Sequence, residues 1–157
     1  MRQNFTKSLV DLAEKDQRVF LLTVDVGYGV LEPFQEKYLS RFINSGIGEA
    51  NAVGVATGMA LKGKIPFIYS INSFLLFRGL EQIRMLADMG PKVILVGTGL
   101  EREYTNFGIT HYAYGDEAIL STMPIKVLTP KTKEGVAKVV DEAYQHSGPS
   151  YIRLSRF

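Results

Sequence analysis

The chain has 157 residues, 46% of them hydrophobic and 22% charged, with a net charge of +2; this suits one globular domain (1–157) with a sizeable core and gives no electrostatic case for nucleic acid. The absence of cysteine excludes disulfides and thiolate catalysis, and the two histidines, His111 and His146, lie too far apart in sequence to suggest a zinc site, so no metal ligand is assigned. No signal peptide precedes the first helix and no apolar run is long enough to span a bilayer, so a cytoplasmic protein without membrane contact is the expectation.

Arg2 to Lys15 reads as an amphipathic helix, with Phe5, Leu9, Leu12 and Ala13 on one side. Arg18 to Val24 (RVFLLTV) is a continuous apolar run of strand length, the pattern of a strand buried on both faces. Asp25-Val26-Gly27-Tyr28-Gly29 follows at its C-terminal end, where open α/β sheets place their sites. A short helix over Leu31 to Tyr38 and a short strand over Arg41 to Asn44 lead to the central stretch, SGIGEANAVGVATGMAL, Ser45 to Leu61. Beyond it the expected elements are a strand at Phe67 to Ser70, an aromatic and apolar segment at Ile71 to Phe77, and a helix over Arg78 to Asp88. Met89-Gly90-Pro91 ends that helix, and Lys92 to Val96 is the next buried strand. A long polar, glycine-containing loop runs from Gly97 to Thr110 and is followed by His111. Asp116 is expected to N-cap a helix through Ser121. Pro124 to Leu128 is a strand, Thr129 starts a helix reaching about Gln145, and Ser150 to Leu154 is the last strand. Strands alternating with helices at this spacing predict an α/β fold, a mostly parallel sheet with helices on both faces.

In the central stretch a Gly46-Ile47-Gly48 turn places Glu49 at the mouth of a long apolar helix that carries no further charge until Lys62. Two readings of Glu49 stand side by side: a first-turn glutamate stabilised by the positive end of the helix dipole, or a partly buried carboxyl available for acid–base work. Ala50, Gly54 and Gly58, four apart, line one helix face. Glycine in a helix interior costs roughly 1 kcal/mol against alanine, so this stripe predicts a close neighbour, either another helix or another subunit.

RFINSGIGEANAVGVATGMALKGKIPFIYSINSFLLFRGLEQIR resembles the pyrimidine-binding domain of transketolase-like, thiamine-diphosphate-dependent enzymes. The likeness runs in order through a strand ending near Asp25, then GIGE, SFLLF, GITH with Gly115-Asp116, and GPSYIRLSR, and so covers essentially the whole chain. Separately encoded C-terminal sections of split transketolases are the most similar branch, followed by deoxyxylulose-phosphate synthases.

The resemblance implies that Glu49 is the catalytic glutamate, hydrogen-bonded to N1′ of the cofactor's aminopyrimidine and exchanging a proton with it. It implies that Ile47, Phe74 and Phe77 lie against that ring, with Phe74 favoured as the stacking partner over Phe77; without the family match, both phenylalanines read as core residues at a strand-to-helix turn. His111 falls on a catalytic and substrate-binding histidine, although a lone loop histidine is otherwise a surface residue. Asp25 falls on an acidic substrate-side position of transketolases, with an ordinary Asx-turn as the alternative. Arg153 or Arg156 matches an arginine near the substrate phosphate in some relatives, with a solvated strand end as the alternative.

The Gly-Asp-Gly motif that binds Mg²⁺ and the cofactor's diphosphate in this class is not in the sequence, nor is a third, C-terminal domain. The resemblance therefore implies thiamine diphosphate shared with a Gly-Asp-Gly-bearing partner that holds the Mg²⁺, a hetero-oligomer (a dimer of heterodimers), and a chain inert by itself. The implied activity is transfer of a two-carbon ketol unit between sugar or sugar-phosphate substrates. The alternatives are a 2-oxo-acid-decarboxylating synthase subunit and a non-catalytic module of the same fold.

Overall fold

A computed structural model describes residues 1–157. The strands are β1 (Val19–Thr23), β2 (Phe42–Asn44), β3 (Ile65–Ile71), β4 (Ile94–Thr98), β5 (Lys126–Leu128) and β6 (Ser150–Leu154). The helices are α1 (Arg2–Lys15), α2 (Glu32–Lys37), α3 (Glu49–Leu61), α4 (Asn72–Met89), α5 (Asp116–Leu120) and α6 (Gly135–Gln145). The strands pair in the order β2-β1-β3-β4-β6-β5, every pair parallel, so the α/β expectation holds.

Side-chain alternation sorts the sheet into two faces. Leu21, Phe67, Tyr69, Ile94, Val96 and Ile152 point to one side, where Phe5 and Leu9 of α1, Phe34 of α2, and Val136 and Val140 of α6 cover them. Leu22, Ile68, Leu95 and Tyr151 point to the other, under Ala52, Val53 and Ala56 of α3 and Leu75, Leu76, Ile83 and Leu86 of α4. With both faces covered, β1, β3 and β4 are mostly apolar, and only Phe20 and Ile71 on them are partly exposed. No helix is long and apolar enough to cross a membrane.

Among the boundaries that differ from expectation, three bear on the site. Helix α4 begins at Asn72, so SFLLF forms its first turns rather than a segment ahead of it. The polar residues at that start are occupied elsewhere: Asn72 bonds Asp116 and Tyr151, and Ser73 Oγ donates to the Thr110 carbonyl. Helix α6 begins at Gly135, not Thr129. The Thr129 hydroxyl accepts from Arg153, while Thr132 Oγ1 takes the Gly135 N–H and turns the chain into the helix. Gly115, in the left-handed region at φ +73°, is the N-cap of α5, and Asp116 is its first helical residue.

Candidate active site

The carboxyl edge of the sheet gathers the turn after β1, the mouth of α3 after β2, the start of α4 after β3, and the loop after β4. The strand order reverses between β1 and β3, which opens a crevice at that edge. Asp25, Tyr28, Tyr69, Ile71, Thr98 and Tyr104 line a cleft there of about 260 Å³.

Gly46 takes φ +74°, a conformation that suits glycine, and the turn delivers Glu49 to the first position of α3. The Glu49 side chain is only 3% exposed. Nη1 of Arg78 lies 3.4 Å from each of its carboxylate oxygens. The same guanidinium lies over Phe74, its central carbon 3.7 Å from the ring centroid. Phe74 and Arg78 are four apart on α4 and so share a face. One planar cation thus spans the distance between a buried carboxylate and an aromatic face.

Phe74 also meets His111, edge to face, with centroids 4.6 Å apart. Phe107 stacks on His111 at 5.0 Å, and Tyr104 lies 6.0 Å away. Thr110 Oγ1 is 3.0 Å from His111 Nδ1, which leaves Nε2 without a hydrogen bond. Partial burial holds the His111 pKa below its usual value, and the positive charge of Arg78 lowers it further. Glu49, Phe74 and His111, spread over the sequence, are therefore joined in space, Glu49 to Phe74 through Arg78 and Phe74 to His111 directly.

The other expected residues sit differently. Ile47 is 79% exposed on its turn and Phe77 is 44% exposed, without an aromatic partner. Asp25 is not an Asx-turn. It takes φ +62°, and its carboxylate accepts from Tyr28 Oη at 2.6 Å and Asn44 Nδ2 at 3.1 Å. Those two hydrogen bonds, Tyr28's first, hold its pKa below the usual carboxylate range. Asn44 Oδ1 also accepts from the backbone N–H of Asp25 and of Gly46, tying the β1 turn to the Glu49 turn.

Arg153 is neither at a solvated strand end nor open to a ligand. Its Nε donates to Asp116 Oδ2 at 2.7 Å and its Nη2 to Asp116 Oδ1 at 3.0 Å, with the two side chains 7% and 5% exposed. Its Nη1 reaches Glu117 at 2.6 Å and Thr129 at 3.2 Å. Asp116 also accepts from Asn72 Nδ2 at 2.6 Å, and Asn72 Oδ1 accepts from Tyr151 Oη at 2.7 Å. Burial pushes the Tyr151 phenol far above its usual pKa, so it stays a donor. The network crosses β4 at Gly97, where a Cβ would lie 2.4 Å from Asn72 Oδ1, so only glycine fits. It pins the N-terminus of α4, and with it Phe74 and Arg78, to the sheet. Arg156 lies against Tyr104, its guanidinium 4.8 Å from the ring, and donates to the Glu103 carbonyl.

Arg78, Asn72 and Asn44 are the site residues not singled out from the sequence. The signal for Arg78 was its place four residues after Phe74, legible only once α4 is known to start at Asn72. Asn72 and Asn44 carry no such signal, because their partners are remote in the chain.

The model of the family "Transketolase, pyrimidine binding domain" matches residues 1–157. An apulose-4-phosphate transketolase subunit of Phocaeicola vulgatus is 31% identical over 99% of this chain and 51% of its own length. A 6-deoxy-6-sulfo-D-fructose transketolase subunit of Clostridium sp. is 32% identical over 99% of this chain and 49% of its own length. The 1-deoxy-D-xylulose-5-phosphate synthase of Desulforudis audaxviator is 31% identical over 97% of this chain and 24% of its own length. Among solved structures, the inactive beta4 tetramer of a split-gene transketolase superposes with a TM-score of 0.88 at 30% identity, covering 99% of this chain and 51% of that one. The chain spans about half the length of the transketolase subunits it matches.

Proposed function

The chain belongs to the transketolase pyrimidine-binding family, and from that premise we propose that it is the pyrimidine-binding part of a split, thiamine-diphosphate-dependent transketolase that moves a two-carbon ketol unit between sugar or sugar-phosphate substrates. One observation carries the reading: Glu49 and Phe74 hold a single planar, nitrogen-bearing cation between them, at 3.4 Å and 3.7 Å. A carboxylate at the edge of a flat group and a ring on its face are the contacts an aminopyrimidine needs, so the residues fit the cofactor.

When bound, thiamine diphosphate supplies the carbon nucleophile that no side chain here provides. Glu49 holds and exchanges a proton through its Oε atoms, shielded from water at the mouth of α3. Phe74 orients the ring by offset stacking, with Ile47 and Phe77 at the rim. Imidazole Nε2 of His111, kept neutral by its surroundings, is free to meet a substrate hydroxyl or oxyanion. Asp25, fixed by Tyr28 and Asn44, presents an ionised carboxylate to the substrate side. Arg153 acts from inside, holding α5 and α4 in place rather than binding phosphate.

The rim exposes Ile47, Phe77, Phe107 and Ile109, the last 81% exposed, and the Gly54–Gly58 face of α3 has no neighbour within 4 Å of an added Cβ. This supports a covering partner that carries the Gly-Asp-Gly motif, the diphosphate and Mg²⁺, in a dimer of heterodimers, with the chain inert alone.

Capture of the tagged chain with thiamine diphosphate and Mg²⁺ present should recover that partner in equal amount. In the assembled complex, Glu49→Gln should lower turnover by about 10²–10⁴-fold while leaving assembly intact. Turnover at the wild-type rate would remove Glu49 from the mechanism, and recovery of the chain alone would favour a non-catalytic module. The likeness to the synthase keeps a second reading open; release of CO₂ from pyruvate would select it over ketose-to-aldose transfer.

A further inference from the structure

We infer that Arg78 is an internal stand-in for the ligand, a side chain that fills the aminopyrimidine slot of this chain until the ligand displaces it. The inference rests on the cofactor reading of Glu49 and Phe74.

A guanidinium is a flat array of nitrogens about one carbon, able to donate in its plane and to stack through its face. Arg78 uses both properties at once. In its plane, Nη1 faces both Glu49 oxygens; through its face, it covers Phe74. The two surfaces that a protonated or amino-bearing pyrimidine needs are therefore already satisfied by the protein.

The contact is built to be broken. The Arg78 side chain is 47% exposed and its only hydrogen-bond partner is Glu49, at the long distance of 3.4 Å. Apart from its packing on Phe74 nothing else anchors the guanidinium, so it can rotate about its flexible stem into solvent without leaving a buried donor unpaired. Meanwhile it gives the buried carboxylate a counter-charge and covers part of the Phe74 ring. The site is thereby held in shape, and the entering pyrimidine must compete with an intramolecular group at high effective concentration.

The test uses the full chain and the probe 4-amino-5-hydroxymethyl-2-methylpyrimidine, followed by NMR. In the free protein, nuclear Overhauser contacts should join the Arg78 side chain to the Phe74 ring, and they should vanish as the probe saturates the Glu49 and Phe74 resonances. Arg78→Ala should bind the probe about tenfold more tightly than wild type, the order expected once an exposed cation–π contact and a weak ion pair no longer have to be broken. Arg78→Lys, which keeps the charge for Glu49 but loses the plane, should tighten binding less, and it carries the comparison if the alanine variant folds poorly. Contacts that persist in the bound state, or equal or weaker binding by both variants, would overturn the stand-in while leaving the cofactor reading intact. Failure of wild type and both variants to bind the probe at all would sink that reading and the stand-in with it.

Discussion

Two arginine–carboxylate pairs are tied to helix α4, one through Arg78 and one through Asn72, and are built on opposite plans. Asp116 and Arg153 meet through two short hydrogen bonds, at 2.7 and 3.0 Å, with Asn72, Thr129 and Glu117 taking up remaining donors and acceptors. Glu49 and Arg78 meet through one nitrogen at 3.4 Å, with the carboxylate buried and the arginine half in water. Buried charge is tolerated only when its hydrogen-bonding capacity is filled, and the first pair meets that condition from inside the chain. The second does not. Its carboxylate keeps unfilled lone pairs, which a structural pair avoids and the proposed binding of a ligand would use. The firm pair also holds the loose one in place, because Asn72 ties Asp116 to the helix that carries Arg78.

The contrast makes its largest prediction at Asp116. Asp116→Ala strands the Arg153 guanidinium inside the protein and should cost about 3–5 kcal/mol in urea unfolding. Replacing both partners by apolar residues, Asp116→Leu with Arg153→Met, should recover most of that loss, and a smaller recovery would mean that the network specifies packing beyond its own charges. The loose pair should respond far less. A double-mutant cycle of Glu49→Gln and Arg78→Met should give a coupling of about 1 kcal/mol or below, as for half-exposed pairs. A coupling as large as that at Asp116 would erase the distinction.

The smallest effect is at His111. Its folded-state pKa lies below the usual histidine value, so the neutral imidazole is favoured in the folded protein. The associated stability is present above the unfolded-state pKa and is lost as pH falls through it towards the folded value. Arg78→Met should move the His111 titration partly back towards that usual value in an NMR pH series, the remainder of the depression being due to burial. No movement would place the Arg78 charge elsewhere in solution.

Much of the architecture was legible because the signals are local. Both-face burial of β1, β3 and β4 shows as unbroken apolar runs, and the alternation of strands and helices implies parallel pairing. The Gly46-Ile47-Gly48-Glu49 turn marks a helix mouth, and Glu49 was identified with both its bland and its chemical role in view. The misreadings share a cause. SFLLF reads as an aromatic, apolar segment ahead of its helix, Thr129 as a helix start and Asp116 as an N-cap. In the folded chain Asn72, Thr129 and Asp116 instead bond to groups far away in sequence.

The sequence by itself determined the class of the fold and the family, because periodicity and motif order are written along the chain. Only the tertiary structure decided which arginine lies beside Glu49 and Phe74. Arg153 looked suited to an anion and is locked against Asp116, whereas Arg78, on a helix whose start was hidden, lies between Glu49 and Phe74. Charge and hydrogen-bond capacity are properties of a residue, but whether they are already spent depends on partners that only folding brings within 3 to 4 Å.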